Sequence, residues 1–297
     1  MKIQLLTQEK KVLYELDQSG LFPDYRSVLC EAIALKIDLT GLVVDSEQLD
    51  EVIWRGTEMK SVLFRNCSLK KNEFIDCNIS GLYIGNSDFS SSKFKKSALN
   101  DFHILNSDFS KTRFKDCSMW NHFFLDCNFN KAAFYNCKVD DISFNSTNLP
   151  GTFFYNCRIN NGHFVHSDTN TGWLKETGFV GCNLSECQID SVVDISGMYF
   201  WETNVQDIQM MEEECFTEVV NKNSKVLYAI YSDVVWWKPY SWADDEKRIF
   251  RGSLEEFSNE VRTGFPTTGL YPEMGDYEIE EELLRVCRYL KSWEKDY

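Results

Sequence analysis

From Phe64 to Phe164 every fifth residue is large and apolar. The series covers 21 positions, of which 12 are phenylalanine, and runs from Phe64, Leu69, Phe74, Ile79 and Ile84 to Leu149, Phe154, Ile159 and Phe164. A spacing of five fits neither the 3.6-residue period of a helix nor the two-residue period of a strand. It marks a repeat architecture, in which each unit buries its apolar residue only by stacking on its neighbours. Leu39 and Leu49 extend the phase back toward residue 37, and the rhythm fails at Thr169 and Asp194. The repeat is therefore expected over 37–209, with a bulge or short loop near Asn170–Gly172.

A second register lies inside the first. Two residues ahead of alternate large positions stands a small one: Thr57, Cys67, Cys77, Ser87, Ser97, Ser107, and so on to Cys187. Asp or Asn often follows it, as in Ser107-Asp108-Phe109 and Cys127-Asn128-Phe129. This resembles the pentapeptide-repeat family, whose motif is a small residue, Asp or Asn, Leu or Phe, and two variable residues. The resemblance implies a β-solenoid: a right-handed quadrilateral β-helix with four pentapeptides per coil, about 8 coils in this chain. Small and large residues would point inward and the other three outward. Coils stacked at the sheet spacing of about 4.8 Å would turn the core into columns of like residues. Residues 20 apart would then share a face.

The flanks do not follow this rhythm. In residues 1–36, Leu13 and Leu16, then Val28, Leu29, Ala32 and Leu35, recur at helical spacing around Gly20 and Pro23. Two short helices forming an N-terminal cap are expected, because repeat proteins need their end coils covered. Residues 210–297 read as a small α+β domain. Lys225 to Val235 is β-branched and aromatic, the signature of a strand or hairpin. Ser253-Leu-Glu-Glu256 is a capping box opening a helix that ends near Gly264. Tyr277 to Trp293 reads as a second helix, with Ile279, Leu283, Val286, Cys287 and Leu290 on one stripe.

Eleven cysteines bring disulfides and metals into question. Eight of them (Cys67, Cys77, Cys117, Cys127, Cys137, Cys157, Cys182 and Cys187) fall at the small inward position, where cysteine serves as a small hydrophobe. Thiols stacked one coil apart run parallel, a poor geometry for a disulfide. No Cys-x-x-Cys pair or matching histidine spacing marks a metal site. No basic start followed by an apolar stretch suggests a signal peptide, and no run of 18 apolar residues suggests a membrane span. A cytoplasmic protein without a cofactor is expected. The net charge of −15 is uneven: residues 210–297 carry −8, whereas residues 50–169 carry +1.

Reading outward positions 20 apart gives three distinct faces. One shows Asp88, Asp108 and Asp168 with Asn128 and Asn148, an acidic and amide ladder suited to bracing turns. The next shows Lys93, Lys95, Arg113 and Lys115 followed by Tyr135, Phe153, Tyr155 and Trp173. Basic residues beside aromatics suit an anionic or single-stranded nucleic-acid partner, though the acidity of the whole chain disfavours nucleic acid. A third face replaces the small inward residues with Val62, Leu82, Phe102, His122 and Ile142. It shows Leu63, Tyr83, His103, Leu105, Phe123, Leu125 and Val165 outward. A contiguous apolar stripe of this kind calls for cover by the chain's own ends, a second copy or a partner. His122 reads as a satisfied core residue. In the last segment, Trp236, Trp237, Tyr240 and Trp242 fall within seven residues and serve either as an interface hot spot or as a small domain's core.

No phosphate-binding loop, dinucleotide fingerprint, nucleophile elbow or metalloprotease motif is present. Cys215 and Cys287 are the last thiols, and no histidine lies beyond His166. The expected function is therefore non-enzymatic: a rod that inhibits, neutralises or scaffolds a protein partner, as an immunity or regulatory protein does. Its site would be Tyr83, Leu105, Phe123 and Leu125 together with the Trp236–Trp242 cluster, with a homodimer left open. The resemblance also implies two alternatives and a bacterial or phage source. Pentapeptide-repeat proteins that give quinolone resistance mimic B-DNA and bind DNA gyrase, a role that needs dense negative charge. Some bacterial effectors join such a rod to an enzymatic domain, which here would have to use Cys215 or Cys287.

Overall fold

The computed structural model describes residues 2–17, 24–165, 177–190, 199–201, 209–211, 215–220, 224–229, 234–239 and 250–263, together with Leu284 and Cys287. Four inward columns form its repeat segment. The first runs Leu49, Leu69, Phe89, Phe109, Phe129, Leu149; the second Trp54, Phe74, Phe94, Phe114, Phe134, Phe154, Phe179. The third runs Met59, Ile79, Leu99, Met119, Val139, Ile159, Leu184; the fourth Val44, Phe64, Ile84, Ile104, Phe124, Phe144, Phe164. Every member is buried. Faces 1 to 4 below take their numbers from these columns.

Short parallel strands carry the second to fourth columns and pair in strict register, while single bridges such as Asp88 to Asp108 join the coils beside the first. Lys93–Lys95 pairs with Arg113–Lys115, which pairs with Ala133–Tyr135 and then Phe153–Tyr155. Six turns of 20 residues lead from Val44 to Phe164. The pairing then continues at longer steps. Phe154 pairs with Phe179 and Phe164 with Ile189, 25 residues on, and Phe179 pairs with Phe200, 21 residues on. The five extra residues lie between Val165 and Gly178; the interruption expected near Asn170–Gly172 falls outside the described residues. An insertion of one whole pentapeptide preserves the period of five while breaking the period of 20.

Stacked rings fill the second column. Centroids are 4.5 Å apart for Phe74–Phe94, 4.8 Å for Phe94–Phe114 and 4.6 Å for Phe114–Phe134, with planes within 7° of parallel. These distances match the rise between coils, so one coil's ring rests on the next. The small inward residues link coils by hydrogen bonds. Ser87 Oγ donates to the Gly85 carbonyl at 2.9 Å and accepts the Cys67 amide at 3.1 Å. Thr112 Oγ1 reaches the Phe89 carbonyl of the previous coil at 3.0 Å. A larger side chain at these positions would lose the bond and collide with the column. The eight repeat cysteines are buried and free of disulfides.

A third register, missing from the sequence reading, sets the corners. Every fifth residue from Gly41 to Asn161 has positive φ, between +47° and +76°. Of these 25 positions, 16 are Asn, Asp or Gly, the residues that tolerate left-handed backbone best. At the corner after face 1, Ser92 N donates to Phe89 O at 3.1 Å and Thr112 N to Phe109 O at 3.1 Å. Positive φ at the third residue of each turn is what a type II turn requires.

The N-terminal cap corrects one expectation. Tyr25–Ala34 forms helix α1, capped by Asp24, whose carboxylate accepts the Ser27 amide at 2.7 Å. The first of the two expected helices is instead a hairpin of β1 (Lys2–Thr7) and β2 (Val12–Asp17). Leu13 and Leu16, three apart, share a face only in a helix and fall on opposite faces of β2, whereas Val12 and Tyr14 favour a strand. β1 also pairs antiparallel with β3 (Leu42–Asp45), so the hairpin extends the first edge of the solenoid. Leu5 of β1 and Val28, Leu29 and Ala32 of α1 join the buried core.

Toward the C-terminus, strands Cys215–Val220, Ser224–Ala229, Val234–Pro239 and Phe250–Gly252 form an antiparallel sheet. Helix α2 (Leu254–Arg262) follows, with the expected reciprocal cap. Ser253 Oγ accepts the Glu256 amide at 3.1 Å, and Glu256 Oε2 accepts the Ser253 amide at 2.8 Å. Of the expected second helix, Leu284 and Cys287 are helical; its other residues lie outside the described set.

Candidate functional site

Face 4 is the apolar face. The pairing puts Tyr83, His103, Phe123 and Ser143 in one outward column, and Gly85, Leu105, Leu125 and Asn145 in the other. Tyr83 is 50% exposed and Leu105 43%, while Phe123 and Leu125 are half-buried. The Tyr83 and His103 rings stack at 5.2 Å, 12° from parallel. None of these eight side chains carries formal charge with histidine neutral, in a chain with 26% charged residues. The strand Ser118–Leu125 adds Trp120, 49% exposed, just before the corner that separates it from Phe123. Sequence reading passed over Trp120 because it belongs to face 3 by phase; its closeness to the corner was the signal.

The hairpin approaches this face at its N-terminal end. An open cleft of about 660 Å³ lies between the turn residues Thr7, Glu9 and Lys11 and the outward residues Val43, Leu63 and Tyr83. Leu105 and Trp120 lie beyond it and stay exposed.

The acidic ladder is bound into the turns. Asp88 Oδ1 accepts the Ser90 amide at 2.8 Å, and Lys70 Nζ lies 3.2 Å from its other oxygen. Burial would raise its pKa, but the Ser90 bonds and Lys70 outweigh that and bring it below the ordinary carboxylate value. Asp108 Oδ1 accepts both the Ser110 amide at 2.8 Å and Asn128 Nδ2 at 3.1 Å. Asp168, the third expected member, lies outside the described residues, as do His166 and Trp173.

Face 2 gathers the basic and aromatic residues. Lys93, Lys95, Arg113 and Lys115 are exposed, whereas Tyr135, Phe153 and Tyr155 are half-buried. Lys95, Lys115, Tyr135 and Tyr155 form a single column. The two tyrosine rings stack at 5.0 Å, 5° from parallel. Lys93 Nζ lies 2.6 Å from Glu73 Oε1.

His122 is a core residue, 2% exposed, set edge-on to Phe102 with centroids 4.8 Å apart and paired in register with Ile142. Its Nε2 lies 3.0 Å from the Leu99 carbonyl, and its Nδ1 has no hydrogen-bond partner. Burial lowers its pKa to about 4, so the ring is neutral and Nε2 donates.

Trp236 and Trp237 are consecutive in the strand Val234–Pro239, paired with Leu227 and Val226. Tyr240 and Trp242 lie outside the described residues. Cys287 is buried, and Cys215 begins a strand. Among the described residues no helix is long and apolar enough to cross a membrane.

Residues 107–145 match the model of the family described as pentapeptide repeats, in 8 copies. No curated protein matches the chain. Among solved structures it is similar to full-length QnrB1, a plasmid-mediated fluoroquinolone resistance protein, at 14% identity and a TM-score of 0.22, over 53% of this chain and 91% of that one. It is also similar to HetL of the cyanobacterium Nostoc, a protein involved in heterocyst differentiation regulation, at 8% identity and a TM-score of 0.17, over 62% and 95%. Rfr23 of the cyanobacterium Cyanothece matches at 14% identity and a TM-score of 0.16, over 48% and 88%.

Proposed function

We propose, from the premise that the repeat segment of this chain is a pentapeptide-repeat β-helix, that the protein is a non-enzymatic binding rod whose apolar face 4 engages a protein partner. The observation that carries this reading is the uncharged run of outward residues from Tyr83 to Asn145, with Tyr83, Leu105 and neighbouring Trp120 exposed. Patches of this kind on soluble proteins mark interaction sites. The residue types agree, since exposed Trp and Tyr are the usual anchors of an interface. The parallel ladder beneath holds these side chains in fixed columns, so little order has to be imposed on binding.

Inhibition, neutralisation and scaffolding are all served by such a surface. Duplex mimicry is less well supported. The two described carboxylates of the ladder are engaged by turn amides, one of them beside Lys70, and residues 50–169 carry a net charge of +1 where a duplex mimic needs dense negative charge.

The test is affinity capture from a lysate of the source organism, with wild-type bait beside Phe123→Asp/Leu125→Asp. The expected outcome is one protein retained by wild type and lost at least tenfold from the double variant. Equal capture by both baits would refute the reading. Both positions are half-exposed, so the variant should keep its thermal midpoint, which serves as the folding control.

A further inference from the structure

We infer that face 2, independently of face 4, is a docking surface for an acidic segment of a protein partner. On this face and its two corners, residues 91–96 and 111–116 hold six cations: Lys93, Lys95, Lys96, Lys111, Arg113 and Lys115. They hold one carboxylate, Asp116, which accepts Asn136 Nδ2 at 3.0 Å. Among the described residues, only Lys93 of the six has a carboxylate partner, Glu73, within ion-pair distance. The other five project into solvent from a chain whose net charge is −15. Unpaired like charges packed on adjacent coils repel one another, and an anionic ligand relieves that repulsion. The parallel register fixes Lys93 beside Arg113 and Lys95 beside Lys115. Carboxylates presented on one side of an extended or helical segment would meet cations on both columns.

The aromatic half of the face decides between kinds of anion. Tyr135 and Tyr155 stack on each other at 5.0 Å, and Phe153 and Tyr155 at 5.6 Å. The near-parallel stack turns the tyrosine ring faces along the solenoid and takes one face of each ring, so the pair turns its edges outward and offers little platform for bases. Single-stranded nucleic acid gains much of its binding from such platforms. Ring edges beside Lys and Arg suit an acidic peptide with apolar side chains, which would set its carboxylates on Lys95, Arg113 and Lys115 and its apolar residues on Tyr135 and Tyr155.

The experiment is fluorescence anisotropy on the full chain with three labelled probes. These are a 16-residue peptide of Glu and Leu, its Lys and Leu counterpart, and a 16-nucleotide oligo-dT. The expected result is saturable binding of the acidic peptide, weakened at least tenfold by Lys95→Glu/Lys115→Glu and several-fold by Tyr135→Ala/Tyr155→Ala. Phe123→Asp/Leu125→Asp should bind it like wild type, which separates this surface from face 4. Lys95→Gln/Lys115→Gln, which adds no charge, should fall between wild type and reversal. Three results overturn the inference: no binding of the acidic peptide, binding that charge reversal leaves unchanged, or binding of oligo-dT in its place. The exposed positions of both lysines keep the fold out of the comparison, and an unchanged thermal midpoint verifies it.

Discussion

His122 shows what one side chain can impose on a repeat. Its column is otherwise filled by Val62, Leu82, Phe102 and Ile142, all buried, and it adds an imidazole whose Nδ1 lacks a partner. Burial holds the folded pKa at about 4, below the ordinary histidine value of 6.5. The unfolded chain therefore takes up a proton as pH falls through about 6.5, whereas the folded chain does so only near 4. Stability present above the unfolded value is lost across that window and levels off below about pH 4, by about 3 kcal/mol in all. His122→Leu, matching the apolar residues of its column, should remove this part of the pH dependence. Urea midpoints of both proteins at pH 7.5 and 4.5 check it; an equal drop in both would mean that His122 contributes nothing to acid sensitivity. The corners show the opposite lesson. Asn and Asp at the left-handed positions were visible in the sequence, yet their spacing was masked by Lys71, Lys96, Lys111 and Lys131, which accept the same backbone at some cost in strain.

At the scale of elements, legibility followed periodicity. The columns, the buried cysteines, the capping box at Ser253 and the helix holding Val28 and Leu29 were all readable, because each rests on a short-range pattern with one physical meaning. The hairpin was not, since the spacing of Leu13 and Leu16 is helical and only the pairing of β1 with β2 and β3 makes the segment a strand. Trp120 escaped because exposure across a corner is a property of the coil rather than of its pentapeptide. The second column makes the sharpest prediction. Phe114 is sandwiched between Phe94 and Phe134 at 4.8 and 4.6 Å, so Phe114→Ala opens a cavity flanked by two rings. A loss of about 3–5 kcal/mol is expected, and a smaller one for Phe114→Leu, which keeps most of the volume. Denaturant unfolding measures both; equal, small losses would show that the column closes up around the gap.

Across the whole molecule, the solenoid separates its chemistries by face. The apolar outward run and the exposed cations belong to different faces of one coil, so one partner on each is sterically feasible. The same architecture seals the thiols. Burial pushes Cys67 and Cys77 above the ordinary thiol value, Cys127 up to about 12 and Cys187 up to about 11. Thiolate is the reactive form, so these four should ignore an aromatic disulfide reagent in the native state and react together once the coils part. Stopped-flow titration in rising denaturant, with peptide mapping of the modified sites, follows this. Early, separate reaction of Cys187 would show that the coil after the insertion opens on its own.

The hairpin at the first coil has a consequence for assembly. Stacked coils resemble a crystal grown in one direction, where each new layer presents the template for the next. Within the solenoid that template is always parallel. By pairing β1 antiparallel to β3 and placing β2 outside it, the chain lays down a terminating layer whose lattice no longer matches the one beneath. A second solenoid arriving end-on would meet, at β3's face, an antiparallel hairpin in place of the parallel template that its own coils follow.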